Sequence, residues 1–553
     1  MMTKIFSEFS EQKWEQVRTH PYYAKHIEAV RQKGEEMLAT EPPRVKFSDW
    51  HLFKETGDRS ISGKAHGEYS ARLEVYFFLY LLDKDQKWLT ALADIMWNIC
   101  DFETWTIPAH VSEEASPEDR RVFLDLCSSI TGYRLAEILY FIGDDLPDLV
   151  KRRVAYEVKW RIIDSYKKHC YWWEKCHNNW ASVCAGAVFA CHMYIGATED
   201  IKEQLPYFMN TIQCYLDGFQ DDGCCTEGYG YWNYGFSYFC LFADMLRVYT
   251  NGETDLFKLE KVHTIAQFQQ NIALNEKESI SFSDAGLHFS PQAWLTHYLK
   301  KQYPDLEIPH FTESNNTSGA LRYVLWQDPE IVGGGINLKS FQYKESQWFV
   351  SRHPSYTLAC KAGHNSESHN HNDVGSFIIS KDGKVSFVDP GTGAYTRQYF
   401  GPERYEFLST SSRGHSVPII NGQLQVTGKR KSEIYLAEEH KFSYSIENGY
   451  AVDTLKSLTR SFDCGEEVLT LTDTYCFTEM PQSVVERFVS YYKPEITEAG
   501  VRCGTSLLCF DKEMFEVSLS SEMTNASNPR ELFMVDLKVK SPAKEMTLTV
   551  QFK

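Results

Sequence analysis

The hydrophobic pattern of this 553-residue chain changes period once, near residue 325, and no other feature limits its fold as much. Before the change, side chains recur at helical spacing: Trp88, Leu92, Ile95 and Ile99, then Leu124, Cys127, Thr131, Leu135 and Ile138. Ser116-Pro117-Glu118-Asp119 has the cap, proline and acids of a helix start for the second series. Further helices are predicted at about 145–167, 179–196, 201–218, 234–250, 257–273 and 291–302. The helix beginning near Asn179 is rich in small residues (Ala181, Ser182, Ala185, Gly186, Ala187, Ala190), a composition suited to close packing on several sides, as in the inner ring of a toroid. After the change come short alternating runs, such as 535–540 and 548–552, separated by the turn signals Asp382-Gly383, Asn421-Gly422 and Asn448-Gly449. The chain is too long for one core. We therefore expect a multidomain α+β protein: a helical domain over 1–325 and an antiparallel β-sandwich over 326–553. The junction is expected near 320–335, between Glu313–Gly319 and Gly333–Gly335.

Charge and cysteine usage narrow the function. A net charge of −18 argues against a nucleic-acid surface, although a locally basic site in such a chain still admits a polyanionic substrate. The first residues lack the apolar core of a secretory signal, and no apolar run reaches membrane-spanning length. Fifteen cysteines, without a C-x-x-C pair, suit reduced thiols, so a cytoplasmic location is expected. Aromatic residues reach 14%, which serves sugar stacking or a large core equally well.

Chemistry-bearing residues concentrate in Ala362–His415. Asp382-Gly383 sits between two apolar runs and predicts a two-residue hairpin that returns Asp389 towards the His-Asn-His-Asn-Asp segment 369–373. His371, Asp389 and His415 are metal-ligand types that suit zinc, or else a polar loop bonded to itself. A regular hairpin would pair Asp389 with Ser376 and turn His371 to the opposite face, so an irregularity is expected near Val374-Gly375. A second segment, 221–235, holds Glu227, Tyr229, Tyr231 and Tyr234 among glycines; it reads as a catalytic tyrosine loop or as an aromatic helix connection. Asn178 and Asn179 precede the small-residue helix as caps or as amide donors to a carboxylate. Arg352, Lys361, Arg397, Arg404 and Arg413 form a basic set facing an anionic ligand or solvent.

Five motifs in order, at 177–180, 221–235, 369–377, 388–391 and 413–416, together resemble the heparinase II/III-like polysaccharide lyases over nearly the whole chain. The resemblance implies an N-terminal (α/α) toroid, antiparallel sheets after it, and β-elimination of a uronic-acid-containing polysaccharide or oligosaccharide to 4,5-unsaturated ends. It implies catalytic roles for Tyr231, His369 and Asn179, substrate contacts from Asn178, Tyr234, Tyr229, Glu227, Arg413 and Arg404, and a mainly structural zinc at His371, Asp389 and His415. It implies no organic cofactor, and the partner is an anionic glycan rather than nucleic acid or membrane. The competing expectations are a glycoside hydrolase acting on uronides, which needs a carboxylate pair, and a carbohydrate-binding protein without catalysis.

Overall fold

The computed structural model describes residues 9–44, 46–316, 318–335 and 339–553; Thr317, within the junction read from sequence, lies outside them. The chain forms two compact units. One comprises Met1–Phe219, Asn233–Ala266 and Pro291–Gly335; the other comprises Gln220–Trp232, Gln267–Ser290 and Ile336–Lys553. Two segments of the helical half of the sequence thus cluster with the C-terminal half. Among the described residues, no helix is long and apolar enough to cross a membrane.

In the first unit the helix Asn179–Ile195 is buried along nearly its whole length. Its small side chains permit this: a Cβ at Gly186 would stand 2.6 Å from the Tyr238 carbonyl oxygen. Leu126–Ile142 and Thr198–Asp217 pack beside it. Two boundaries differ from the sequence reading. Residues 117–122 form a separate short helix, and Leu126–Ile142 starts anew at Asp125, whose buried carboxylate accepts from the Ser128 N–H. The helix expected at about 234 begins at Tyr229, so Tyr231 lies in its first turn rather than in a loop.

The second unit holds three antiparallel sheets. Strands β1 (Phe341–Tyr343), β2 (Trp348–Arg352), β3 (Tyr356–Lys361), β4 (Phe377–Lys381) and β5 (Lys384–Phe387) form a five-stranded meander. The β4–β5 turn is the predicted one: Asp382 and Gly383 have φ of +50° and +71°, the left-handed pair that a type I′ turn requires. Ser380 pairs with Val385, but Ile379 pairs with Phe387, which leaves Ser386 as a bulge. Beyond it the register has moved by one residue, giving Asp389 the parity of Phe377. The irregularity expected near Val374-Gly375 is also present: Gly375 has φ +91° in a turn where the Ser376 N–H donates to the Asp373 carbonyl, and this turn ends the strand alternation before His371. An eight-stranded sheet contains Leu455–Cys464, Leu469–Phe477 and Glu545–Phe552, and a four-stranded sheet contains Val484–Ser490. One core joins all three sheets through Phe377 and Phe387, Phe462 and Phe552, and Phe488.

Candidate active site

The centre of the second unit's polar cluster is Asp284, a residue with no motif around it. Its Oδ2 lies 2.6 Å from His369 Nδ1 and its Oδ1 lies 2.9 Å from His371 Nε2. Tyr399 donates to Oδ1 at 2.5 Å, and the Arg404 guanidinium bonds both oxygens at 3.1 and 3.2 Å. Burial alone would protonate Asp284. The histidine hydrogen bonds and the Arg404 charge outweigh it and hold the carboxyl well below the usual carboxylate range. His369 occupies the left-handed region at φ +55°, uncommon for a residue with a Cβ, and its bond to Asp284 fixes the ring there.

The His369 ring lies 4.2 Å from the Tyr231 ring, centroid to centroid. The Tyr231 hydroxyl is 2.6 Å from that of Tyr395. Burial, with Tyr395, Asp284 and Glu227 adding, pushes the Tyr231 phenol far above its ordinary value; Tyr395 is pushed up to about 12, again chiefly by burial. Resting Tyr231 is therefore a neutral phenol. Glu227 is buried, and burial also raises its pKa against the lowering effect of His369.

Behind His369, the ligand atoms of His371, Asp373 and His415 all lie within 4.8 Å of one another and are fully buried. Among the described residues, His371 Nδ1 and Asp373 Oδ2 find no hydrogen-bond partner, the condition expected of donors arranged for a cation. The other Asp373 oxygen accepts from Lys361 at 2.8 Å. Asp389 lies 2.9 Å from His415 Nδ1 and takes the Gly391 N–H on its second oxygen. Asp284 on the far nitrogen of His371 is the outer carboxylate that commonly orients a ligating imidazole. This buried His/Asp/His cluster is chemically able to bind a metal ion.

Residues 336–480 match the family described as Heparinase II/III-like, C-terminal. That match lies within the second unit. Solved structures agree in fold over the whole chain. A structure of heparinase III matches with TM-score 0.64 at 12% identity, covering 98% of this chain and 92% of that one. A heparan sulfate lyase HepC from Pedobacter heparinus gives 0.57 at 12%, covering 98% and 92%. The Streptomyces coelicolor A3 chondroitin AC lyase gives 0.58 at 8%, covering 98% and 81%. No curated protein matches by sequence. The expected fold class, a helical toroid followed by antiparallel sandwich sheets, is the one observed.

Set beside the heparinase-like motifs, the structure gathers some of the expected residues and leaves others elsewhere. Tyr231, Glu227, His369, His371, Asp389, Arg404 and His415 cluster in the second unit. Arg404 is committed to Asp284 and to the Tyr399 and Asn370 carbonyls, so it positions rather than clamps. Arg413 pairs with Glu522 at 3.3 Å, and Tyr229 is buried against Trp232 and Phe289. Of the remaining basic set, Arg352 is spent on backbone carbonyls and Lys361 on Asp373. Asn178, Asn179 and Tyr234 belong to the first unit. Asn178 caps the helix, accepting from the Trp180 N–H, and this frees the buried Asn179 from that task. Asp284, Tyr395 and Asp373 were missed as site residues. The only sequence signal for Asp284 was a Ser-, Asp- and Gly-containing break at 281–286 within an otherwise helical region.

Proposed function

We propose that this chain is a polysaccharide lyase that cleaves a uronic-acid-containing glycan by β-elimination. The observation that carries the proposal is the close Tyr231–His369 ring contact, with His369 Nδ1 fixed by an ionised Asp284. The names of the structures sharing this fold, heparinase III, heparan sulfate lyase and chondroitin AC lyase, support an anionic glycosaminoglycan-like substrate.

Asp284 occupies Nδ1 of His369 and so turns Nε2 to the substrate, where it takes the proton from C5 of the uronate. The electron pair left at C5 forms the C4–C5 double bond as the C4–O4 bond breaks. The neutral Tyr231 hydroxyl donates its proton to O4, and Tyr395 remains hydrogen-bonded to it. Charge developing on the uronate carboxylate is met by a hydrogen-bond donor, the role that the family resemblance gives to Asn179. The product is a 4,5-unsaturated uronate and a new hydroxyl end; no water is consumed.

A second division of labour is favoured by the 2.6 Å Tyr231–Tyr395 contact: Tyr231, as a phenolate that accepts a hydrogen bond from the Tyr395 hydroxyl, takes the C5 proton and returns it to O4. A substrate whose leaving group needs no proton separates the two. Tyr231→Phe keeps turnover on it if Tyr231 acts only as acid, and loses turnover if Tyr231 is the base.

Zinc suits the buried donor set of His371, His415 and Asp373, with Asp389 behind His415, and when bound it fixes the segment that presents His369. A hydrolase would need a carboxylate pair open to substrate. Asp284 and Asp373 are instead bound to cationic partners, and Glu227 has no carboxylate opposite it that is free to act. Incubation with hyaluronan, chondroitin, heparan and alginate tests the proposal. It predicts near-ultraviolet absorbance from conjugated ends on at least one; new reducing ends without absorbance would overturn it.

A further inference from the structure

The helix Phe47–Thr56, in the first unit, carries Phe47, Trp50, Leu52 and Phe53 within ten residues and buries none of them. Phe47 is 77% exposed. Phe47 and Trp50 are three apart and so share a face of the helix. That face lines a groove of about 730 Å³, with Tyr69 and Phe102 opposite and Arg44 and Lys46 at its edge. Leaving aromatic surface in water is costly, and a patch of this kind marks a surface that something covers.

The charges indicate what covers it. Glu103 is paired with Arg120, Asp101 with Arg153, and Glu113 with His51 and Lys54. Glu41, Arg44 and Lys46, which also line the groove, form no ion pair among the described residues, so two free cations stand against one free acid. Aromatic contacts link a segment that lines the groove to the neighbour of Asn179. The segment that supplies Glu113 supplies His110, whose ring meets Trp180 at 4.7 Å; Trp180 follows Asn179 and lies 4.7 Å from Trp172, itself 54% exposed. Flat aromatic faces flanked by free cations fit sugar rings that bear carboxylate or sulfate groups.

We infer that this groove binds an anionic oligosaccharide, as a site for glycan residues distant from the bond that is cut. The part of the argument that runs through Asn179 rests on the proposed lyase function; the groove itself does not. It makes the enzyme prefer long chains to short ones.

The test uses the full-length Tyr231→Phe protein, so that binding is read without turnover. Tetrasaccharides and dodecasaccharides of heparan sulfate, chondroitin sulfate and hyaluronan are titrated calorimetrically. The expected result is at least one dodecasaccharide bound about tenfold or more tighter than its tetrasaccharide, with that advantage lost on adding Phe47→Ala and Trp50→Ala. Lys46→Glu, a surface reversal that leaves the aromatic faces in place, is expected to reduce the same advantage while tetrasaccharide affinity stays constant. An unchanged long-chain advantage in both variants, no such advantage in the parent, or no binding of any glycan would overturn the inference. Because absorbance of the wild-type reaction is read separately, the groove and the lyase chemistry can fail independently.

Discussion

Asp284 ties the proposed chemistry to the metal cluster, because one carboxylate serves His369 with one oxygen and His371 with the other. Asp284→Asn keeps the shape but puts an amide where an ionised acceptor fixes two imidazoles. We expect kcat to fall about 100-fold or more, with a smaller change in KM, since substrate does not bind through this residue. An equal loss in both parameters would assign Asp284 to substrate binding. The buried donors make a second prediction: His371→Ala lowers the zinc content of purified protein measured by elemental analysis, and equal content in both proteins would refute the site. At this scale the sequence was legible where partners were neighbours. His369, His371 and Asp373 lie within five residues, and their chemistry shows in the string itself. Asp284 reaches His369 across 85 residues, and Tyr395 reaches Tyr231 across 164, from segments whose composition marks neither.

At the scale of elements, side chains far from the reaction hold the site in shape. Arg460, in Leu455–Cys464, is fully buried against Asp473 at 2.6 Å and donates to the carbonyls of Gly375 and Ser416, just past the two histidine segments. Arg460→Met leaves Asp473 and two carbonyls unmet and should cost about 3–5 kcal/mol in denaturant unfolding. An unchanged midpoint would contradict this role. His192, in Asn179–Ile195, donates to the Val188 carbonyl through Nδ1, and burial lowers its pKa to about 4. Its folded value lies below that of the unfolded chain, so its contribution is complete above about pH 6.5 and is lost as pH falls towards 4. The loss is up to about 3 kcal/mol. His192→Gln should flatten the decline of Tm between pH 7 and 4.5; an identical slope would show that His192 is not responsible. Elements were legible where a local rule decides them, as Asp382-Gly383 decides its turn. They were hidden where a distant partner decides, as at Asp125, whose carboxylate meets Thr106 and His110 as well as the helix it caps. The Ser386 bulge had no sequence mark at all, yet it sets the face of Asp389.

At the scale of the molecule, the change of period near residue 325 separated helix from sheet correctly, because each half repeats its pattern over many residues. It could not show that 220–232 and 267–290 cluster with the sheets, since short segments are placed by tertiary contacts rather than by periodicity. The first of these carries Glu227 and Tyr231, and the second carries Asp284, so much of the proposed chemistry rests on two segments that the helical half lends to the β unit. The central claim is that this arrangement eliminates rather than hydrolyses. Cleaving a uronan in water labelled with heavy oxygen and weighing the fragments tests it most directly. The account predicts unlabelled products, one of which carries an unsaturated uronate; incorporation of one labelled oxygen per cleavage would contradict it.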